Sequence, residues 1–394
     1  MSKNKYLFST FLKIGSTAFG GFMALISVIK DQLVDKDRKI NDEAFANALS
    51  LAAVLPGPMA VNVVSFVGYK MNGFTGALIA MLAVILPSFL LIYGLSVAYF
   101  ELGTLPAVDH IFAGITPAVA AIVFSVGINM ARKHLTNISQ AIIMVLAAVA
   151  LLGIGGYMTT ILVLIASAIA GYLIYQKDFQ DPTEQIPIHT KDVLRTLLPI
   201  PLAILLVLIL PLIQPYTGDS LGGKIVNLSA LFGGLSLTLF GGGYVMIPTM
   251  NDLFVEQLGW LNSQEFSDGI ALGQVTPGPI LITAAFIGYK MAGFGGALCS
   301  TISIFLPPAL IMIMATRFIA LFKELATVKA IFFGLRAAII GLIISASIIL
   351  VREMDHSWKS WMILAVVLVL VIKYKMKLVY LIPLSGLSGY FLFA

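Results

Sequence analysis

The chain has 394 residues, of which 59% are hydrophobic and 11% charged, with a net charge of +5 and a mean hydropathy of +0.99. A soluble domain carries about 25% charged residues, so this composition excludes an ordinary soluble enzyme and a disordered chain. It fits an all-α polytopic membrane protein, most of whose surface meets lipid. The basic residues are scattered along the loops, which gives no nucleic-acid surface. The single cysteine, Cys299, excludes an intrachain disulfide, and the four histidines, His110, His134, His189 and His356, are too far apart in sequence to suggest a metal site. No cofactor is expected.

In chain order, Lys3 and Lys5 precede an apolar stretch as they would in a signal peptide, but that stretch returns later in the chain and is read as part of the fold. Residues 7–29 are expected to enter the membrane, break at Gly20-Gly21 and leave on the same side; residues 42–69 do likewise around Pro56-Gly57-Pro58. Spans follow at 73–100, 111–131, 139–155 and 158–175, then a basic loop at 176–195 and a span at 196–214. Matching re-entrant hairpins lie at 229–250 and 264–290, followed by spans at 293–320, 331–351, 358–373 and 377–393. Each span is near the ~20 apolar residues that cross a bilayer.

Proline-glycine-proline reads as helix stop, turn and helix start. The residue before a proline, Leu55 or Thr276, is pushed out of the helical region. Glycine permits the reversal, and the second proline suits the first position of a new helix. Phe-Gly-Gly is a weaker form of the same signal.

The pattern occurs twice. GYKMNGFTGAL at 68–78 and GYKMAGFGGAL at 288–298 agree at nine of eleven positions, and Phe19 precedes Pro56 by the same 37 residues that separate Phe240 from Pro277. Leu86-Pro87 is answered by Leu306-Pro307. This reads as an internal duplication, with repeats at 1–134 and 228–354, connecting helices and a cytoplasmic linker at 135–227, and C-terminal helices at 355–394. Loop charge orients the copies, because Lys and Arg favour the cytoplasmic side. The loop at 30–39 holds Lys30, Lys36, Arg38 and Lys39 and its partner at 251–263 holds none, whereas 101–110 holds none and 321–330 holds Lys323 and Lys329. The copies are therefore expected to be inverted, with a cytoplasmic N-terminus in a multi-pass inner-membrane protein. A homodimer is a possible assembly.

Hairpins of this kind place helix starts deep in the membrane, where unpaired N–H groups and about +0.5 of an elementary charge attract anions. Inverted repeats with broken helices are a transporter design. The expected binding residues for a small anion are Gly20, Gly21, Gly57, Pro58, Gly242, Gly243, Gly278 and Pro279 at the four tips. Asn62 and Thr283 lie one turn beyond the breaks, Gln274 and Thr276 just before the second. Arg336 is an ionisable residue within a span, which marks it as functional by default. Lys70 and Lys290, about eleven residues past each break, are placed at a vestibule. Asp268, one turn beyond the cap pair Asn262 and Glu265, is the candidate for a coupling proton. Gly218 to Lys224 reads GDSLGGK, but Ile225 follows in place of Ser or Thr, so no phosphate-binding loop is assigned.

The duplicated FGG, PGP, GYK and LP arrangement resembles the chromate ion transporter family in its two-domain form. The resemblance implies secondary active export of chromate, a tetrahedral dianion, by alternating access in which one repeat rocks against the other. Members of that family commonly carry FGGP.AH, where this chain has Phe22-Met23-Ala24-Leu25. Another oxyanion such as sulfate, carried by a transporter or a channel, is therefore the alternative.

Overall fold

The computed structural model describes residues 2–18, 21–101, 106–179, 220–239, 243–316, 326–376 and 378–393, with no strand among them. The protein is an all-α membrane protein. Five helical stretches are long and apolar enough to cross a bilayer, within Met59–Glu101, His110–His134, Met158–Asp178, Ile280–Ala315 and Ala326–Arg352. Every expected span coincides with a helix except 196–214 and the last four residues of 293–320, which lie outside the described residues.

The first half of the chain gives α1 (Lys3–Thr17), α2 (Gly21–Lys30), α3 (Asp42–Val54), α4 (Met59–Glu101), α5 (Pro106–His134), α6 (Ile138–Ile154) and α7 (Tyr157–Tyr175). The second gives α8 (Leu221–Thr238), α9 (Met246–Asn251), α10 (Ser263–Val275), α11 (Thr283–Ala315), α12 (Ala326–Glu353), α13 (Trp358–Ile372) and α14 (Leu378–Phe393). Side-chain caps set several starts. The Asn41 carboxamide accepts the Ala44 N–H at 2.9 Å, and Asn262 with Glu265 forms a reciprocal capping box at the start of α10.

Two π-helical turns, Asp31–Lys36 and Asp252–Gln257, were not expected from the sequence. In the first, the ion pairs follow the wider spacing, Lys36 to Asp31 at 2.6 Å and Lys30 to Asp35 at 3.3 Å, each five residues apart. The Tyr6 hydroxyl and the Gln32 amide both donate to Asp37, which holds that carboxyl below its usual range. Asp252 does not face solvent as Asp31 does. Its carboxylate is partly buried and accepts the Gly156 N–H at the start of α7, at 2.6 Å.

The long helices α4 and α11 are each two arms joined by a reversal. Asn72 and Gly73 have φ/ψ of −151/36 and 61/−155, and Ala292 and Gly293 repeat this at −150/29 and 58/−145. A Cβ on Gly68 would lie 2.9 Å from the Ala80 Cβ, although twelve residues of straight helix cover about 18 Å. The chain therefore folds back on itself, and Gly68 and Gly76 let the arms touch.

The helices cluster into two compact units. One draws on Met1–Ser96, Phe179–Gly242 and Pro277–Lys329, the other on Val97–Asp178, Gly243–Thr276 and Ala330–Ala394. Each unit thus takes helices from both halves of the chain. In the first, α8 packs along α11. In the second, α14 and α13 pack on α5, and α7 meets α12 where Gly171 faces Gly334. Small residues of this kind let membrane helices approach closely.

A Cβ on Gly171 would sit 2.6 Å from the Ala330 carbonyl oxygen, whereas one on Gly153 meets nothing within 4 Å. Gly171→Leu is therefore expected to cost about 1–3 kcal/mol by overpacking. It should lower the melting temperature in detergent, and Gly153→Leu should leave it unchanged.

Candidate functional site

Each proline-glycine-proline break has the geometry its residues dictate. Leu55 and Thr276 are extended, with φ/ψ of −85/152 and −74/143, as residues before proline must be. Gly57 and Gly278 both have φ +105, where a side chain is strained. The helix resumes at Met59 in the first break, and at Thr283 in the second after a short 3-10 turn, Ile280–Ile282.

Within the first unit, each break is tied to the other half of the chain. The Gly57 N–H donates to the Leu239 carbonyl at 2.6 Å, and the Gly278 N–H donates to the Ala18 carbonyl at 2.9 Å. Both pairs are offset alike, by 221 residues. A methyl group on Gly57 would overlap the Pro308 ring, and one on Gly278 would overlap the Ser88 hydroxyl. The two proline carbonyls are satisfied differently. Asn62 Nδ2 donates to Pro56 O at 3.0 Å, whereas the Ser88 hydroxyl donates to Pro277 O.

This decides what the expected binding residues offer. The Gly57 and Gly278 N–H groups are already engaged. Thr283 and Thr276 are buried and donate their hydroxyl protons to Ile280 O at 3.0 Å and Gly273 O at 2.9 Å. Pro58 and Pro279 are buried in the turns. Asn62 is fully buried, and with its amide committed to Pro56 its Oδ1 has no partner. Gly21 and Gly243 begin α2 and a 3-10 turn, while Gly20 and Gly242 lie outside the described residues. Lys70 is exposed, 5.9 Å over the Phe66 ring, and Lys290 is exposed in the equivalent place before the α11 reversal.

Thr276 and Gly243 belong to the second unit, which also holds Gln274, Asp268 and Arg336. Gln274 is buried and accepts the Tyr244 hydroxyl at 3.4 Å on Oε1, leaving Nε2 as a buried donor without a partner. Asp268 is buried and accepts from the Tyr99 hydroxyl at 2.7 Å and from Gln264 Nε2 at 2.9 Å. Arg336 is half-buried on α12. Sequence reasoning missed Ser88, Tyr99 and Tyr244. The first follows the Leu-Pro pair and the last closes the FGGGY motif, so two of the three stood beside signals already noted.

A family model described as Chromate transporter matches residues 5–172 and again 226–390. The chain belongs to the chromate transporter family. The transporter is 32% identical over 379 residues to an uncharacterized transporter of Methanocaldococcus jannaschii, covering 96% of this chain and 92% of that one. It is 31% identical over 401 residues to a chromate transport protein of Pseudomonas aeruginosa, covering 98% and 92%. To a chromate transport protein of Cupriavidus metallidurans it is 28% identical over 368 residues, covering 93% and 87%. No solved structure matches. Membership gives the chain a transport role, an ion as substrate and a multi-pass place in the membrane.

Gly57→Ala and Gly278→Ala each combine a strained φ, costing about 1–3 kcal/mol, with a direct overlap. Both variants of the transporter are expected to lose folded yield and melt several degrees lower in detergent. Melting at the parent temperature in both would contradict the packing described.

Proposed function

We propose that the transporter is a secondary active exporter of a small tetrahedral oxyanion, chromate first among them, across the inner membrane. The observation that carries this reading is the pair of buried proline-glycine-proline breaks, in a chain related along nearly its whole length to chromate transport proteins. With the Gly57 and Gly278 N–H groups engaged, the breaks favour negative charge through the dipoles of the helices that start beyond them. Gln274 adds a donor, since its buried Nε2 has no protein partner and a buried amide left unpaired costs about 1–3 kcal/mol. An oxyanion supplies the missing acceptor. Thr276 and Thr283 shape the turns, Lys70 and Lys290 draw anions toward the mouths, and Arg336 balances charge during passage. Asp268 carries the coupling proton.

The family's FGGP.AH pattern is absent here, so the substrate is held without that histidine. The two halves are inverted and their hairpins re-entrant, with the N-terminus cytoplasmic. In alternating access, rocking of one half of the chain against the other would have to break the Gly57–Leu239, Gly278–Ala18 and Ser88–Pro277 bonds. Under this reading the halves stay joined at the breaks and the moving parts are drawn from both.

Uptake into everted membrane vesicles tests the function. Chromate is expected to accumulate against its gradient, to be competed more weakly by sulfate and molybdate, and to lose its accumulation when the pH gradient is collapsed. Gln274→Leu should reduce uptake about tenfold, the effect of losing roughly 1.4 kcal/mol of binding. Uptake no greater than in vesicles lacking the protein would contradict the reading, and equilibration without accumulation would make it a channel.

A further inference from the structure

Six buried side-chain atoms among the described residues have no hydrogen-bond partner. Four of them fall on three helices of the second unit, Thr116 Oγ1 on α5, Asn251 Oδ1 on α9, and Ser267 Oγ and Gln274 Nε2 on α10. Both α5 and α9 pack against α10. Buried polar atoms in proteins are nearly always paired with protein or with ordered water. This group includes acceptors, hydroxyls and an amide donor, the mixture that water satisfies and that a lipid or an apolar ligand does not.

The polar positions of α10 share one side. Ser267 and Asp268 follow Gln264 at three and four residues and Gln274 lies seven beyond Ser267, so the four fall within about 120° of the helix circumference. The row starts in contact with solvent at the exposed Gln264, passes Asp268, which is 3% exposed, and reaches Gln274, which is 6% exposed, about 15 Å along the axis. Gln264 and Tyr99 both reach the Asp268 carboxylate, and Tyr244 reaches Gln274. The corresponding positions of α3, 221 residues earlier, are Glu43, Ala46, Asn47 and Ala53, so that helix has nothing ionisable along its interior.

We propose that α10 lines a hydrated proton track from its exposed start to Gln274, with Asp268 as the group in it that takes up and releases the proton. The proposal rests on the transport reading and deepens it. The step is a proton transfer alone. A hydronium in the track gives its proton to an Asp268 oxygen, leaving water and a neutral carboxylic acid, and the reverse step returns it.

Among the described residues, the titratable and charged groups on Asp268's own helix and on the elements packed against it are these. Tyr99 hydrogen-bonds it, and Glu101 beyond Tyr99 is exposed. On α5 they are Asp109 and His110 near one end and Arg132, Lys133 and His134 at the other; on α14 they are Tyr380 and Tyr390, which are 58% and 41% exposed and so turned outward. Glu265 on α10 is held in the capping box, α9 carries none, and Tyr244 precedes it.

The test uses the full-length protein in liposomes, with an internal pH-sensitive dye and labelled chromate. Asp268→Asn is expected to cut chromate-dependent proton movement at least tenfold more than it cuts chromate counterflow, and Asp268→Glu to restore most of it. Asparagine stands at the matching position, Asn47, of α3. Ser267→Val, which removes a polar atom from the track without touching Asp268, should slow proton movement several-fold while counterflow is kept. Parent-level proton movement in Asp268→Asn would overturn the proposal. So would an equal loss of both fluxes that Asp268→Glu fails to restore, because Asp268 would then be a structural residue. Absence of chromate counterflow in the parent protein would instead sink the transport reading, and the track with it.

Discussion

Inside a bilayer no water is at hand to satisfy a backbone N–H or C=O, so a helix can be broken there only if the freed groups find partners in the protein. Proline-glycine-proline reduces that demand before any packing occurs. Two of its three residues have no N–H, which leaves the glycine as the single donor in the triplet. In this chain that donor goes to a carbonyl just past the end of another helix, Leu239 after α8 or Ala18 after α1. Such carbonyls lack an intrahelical partner of their own. Two deficits from distant parts of the chain cancel each other, and this happens twice with the same geometry.

The cancellation constrains everything near the breaks. It fixes Gly57 and Gly278 against Pro308 and Ser88, and it explains why both must be glycine twice over, for their φ and for their close contacts. The breaks differ in one respect. Pro56 O is covered by Asn62 from its own helix, and Pro277 O by Ser88 from the other half of the chain. Asn62 therefore spends its donor on the fold, whereas Gln274, three residues before Pro277 in the chain, keeps an unpaired one. The polar interior of the second unit, with Asp268 at its middle, has no counterpart in α3. Helices α3 and α10, 221 residues apart in the chain, are therefore chemically unequal.

Much of this was legible in the sequence because the signals were steric. Prolines and glycines at 56–58 and 277–279 dictate a break wherever they occur, and the spans stand out by apolar length alone. The Asn262–Glu265 cap could be named before its geometry was seen. The π-helical turns were not, although Asp31 with Lys36 and Lys30 with Asp35 sit at a spacing of five that an α-helix does not reward. The carbonyls of Ala18 and Leu239 left no trace, since any residue supplies a carbonyl. Ser88, Tyr99 and Tyr244 were passed over for a related reason. A lone hydroxyl gains its role from what it meets across 30, 169 or 189 residues of chain, and spacing does not encode that meeting.

The interlock is tested most directly by a double-mutant cycle between Ser88 and Gly278. Thermal or denaturant unfolding would be measured for the parent, Ser88→Gly, Gly278→Ala and the pair. A methyl at 278 overlaps the Ser88 hydroxyl, so removing that side chain should recover part of the stability lost in Gly278→Ala, with a coupling of about 1 kcal/mol or more. Strict additivity of the two changes would mean that residues 88 and 278 do not meet in the folded protein.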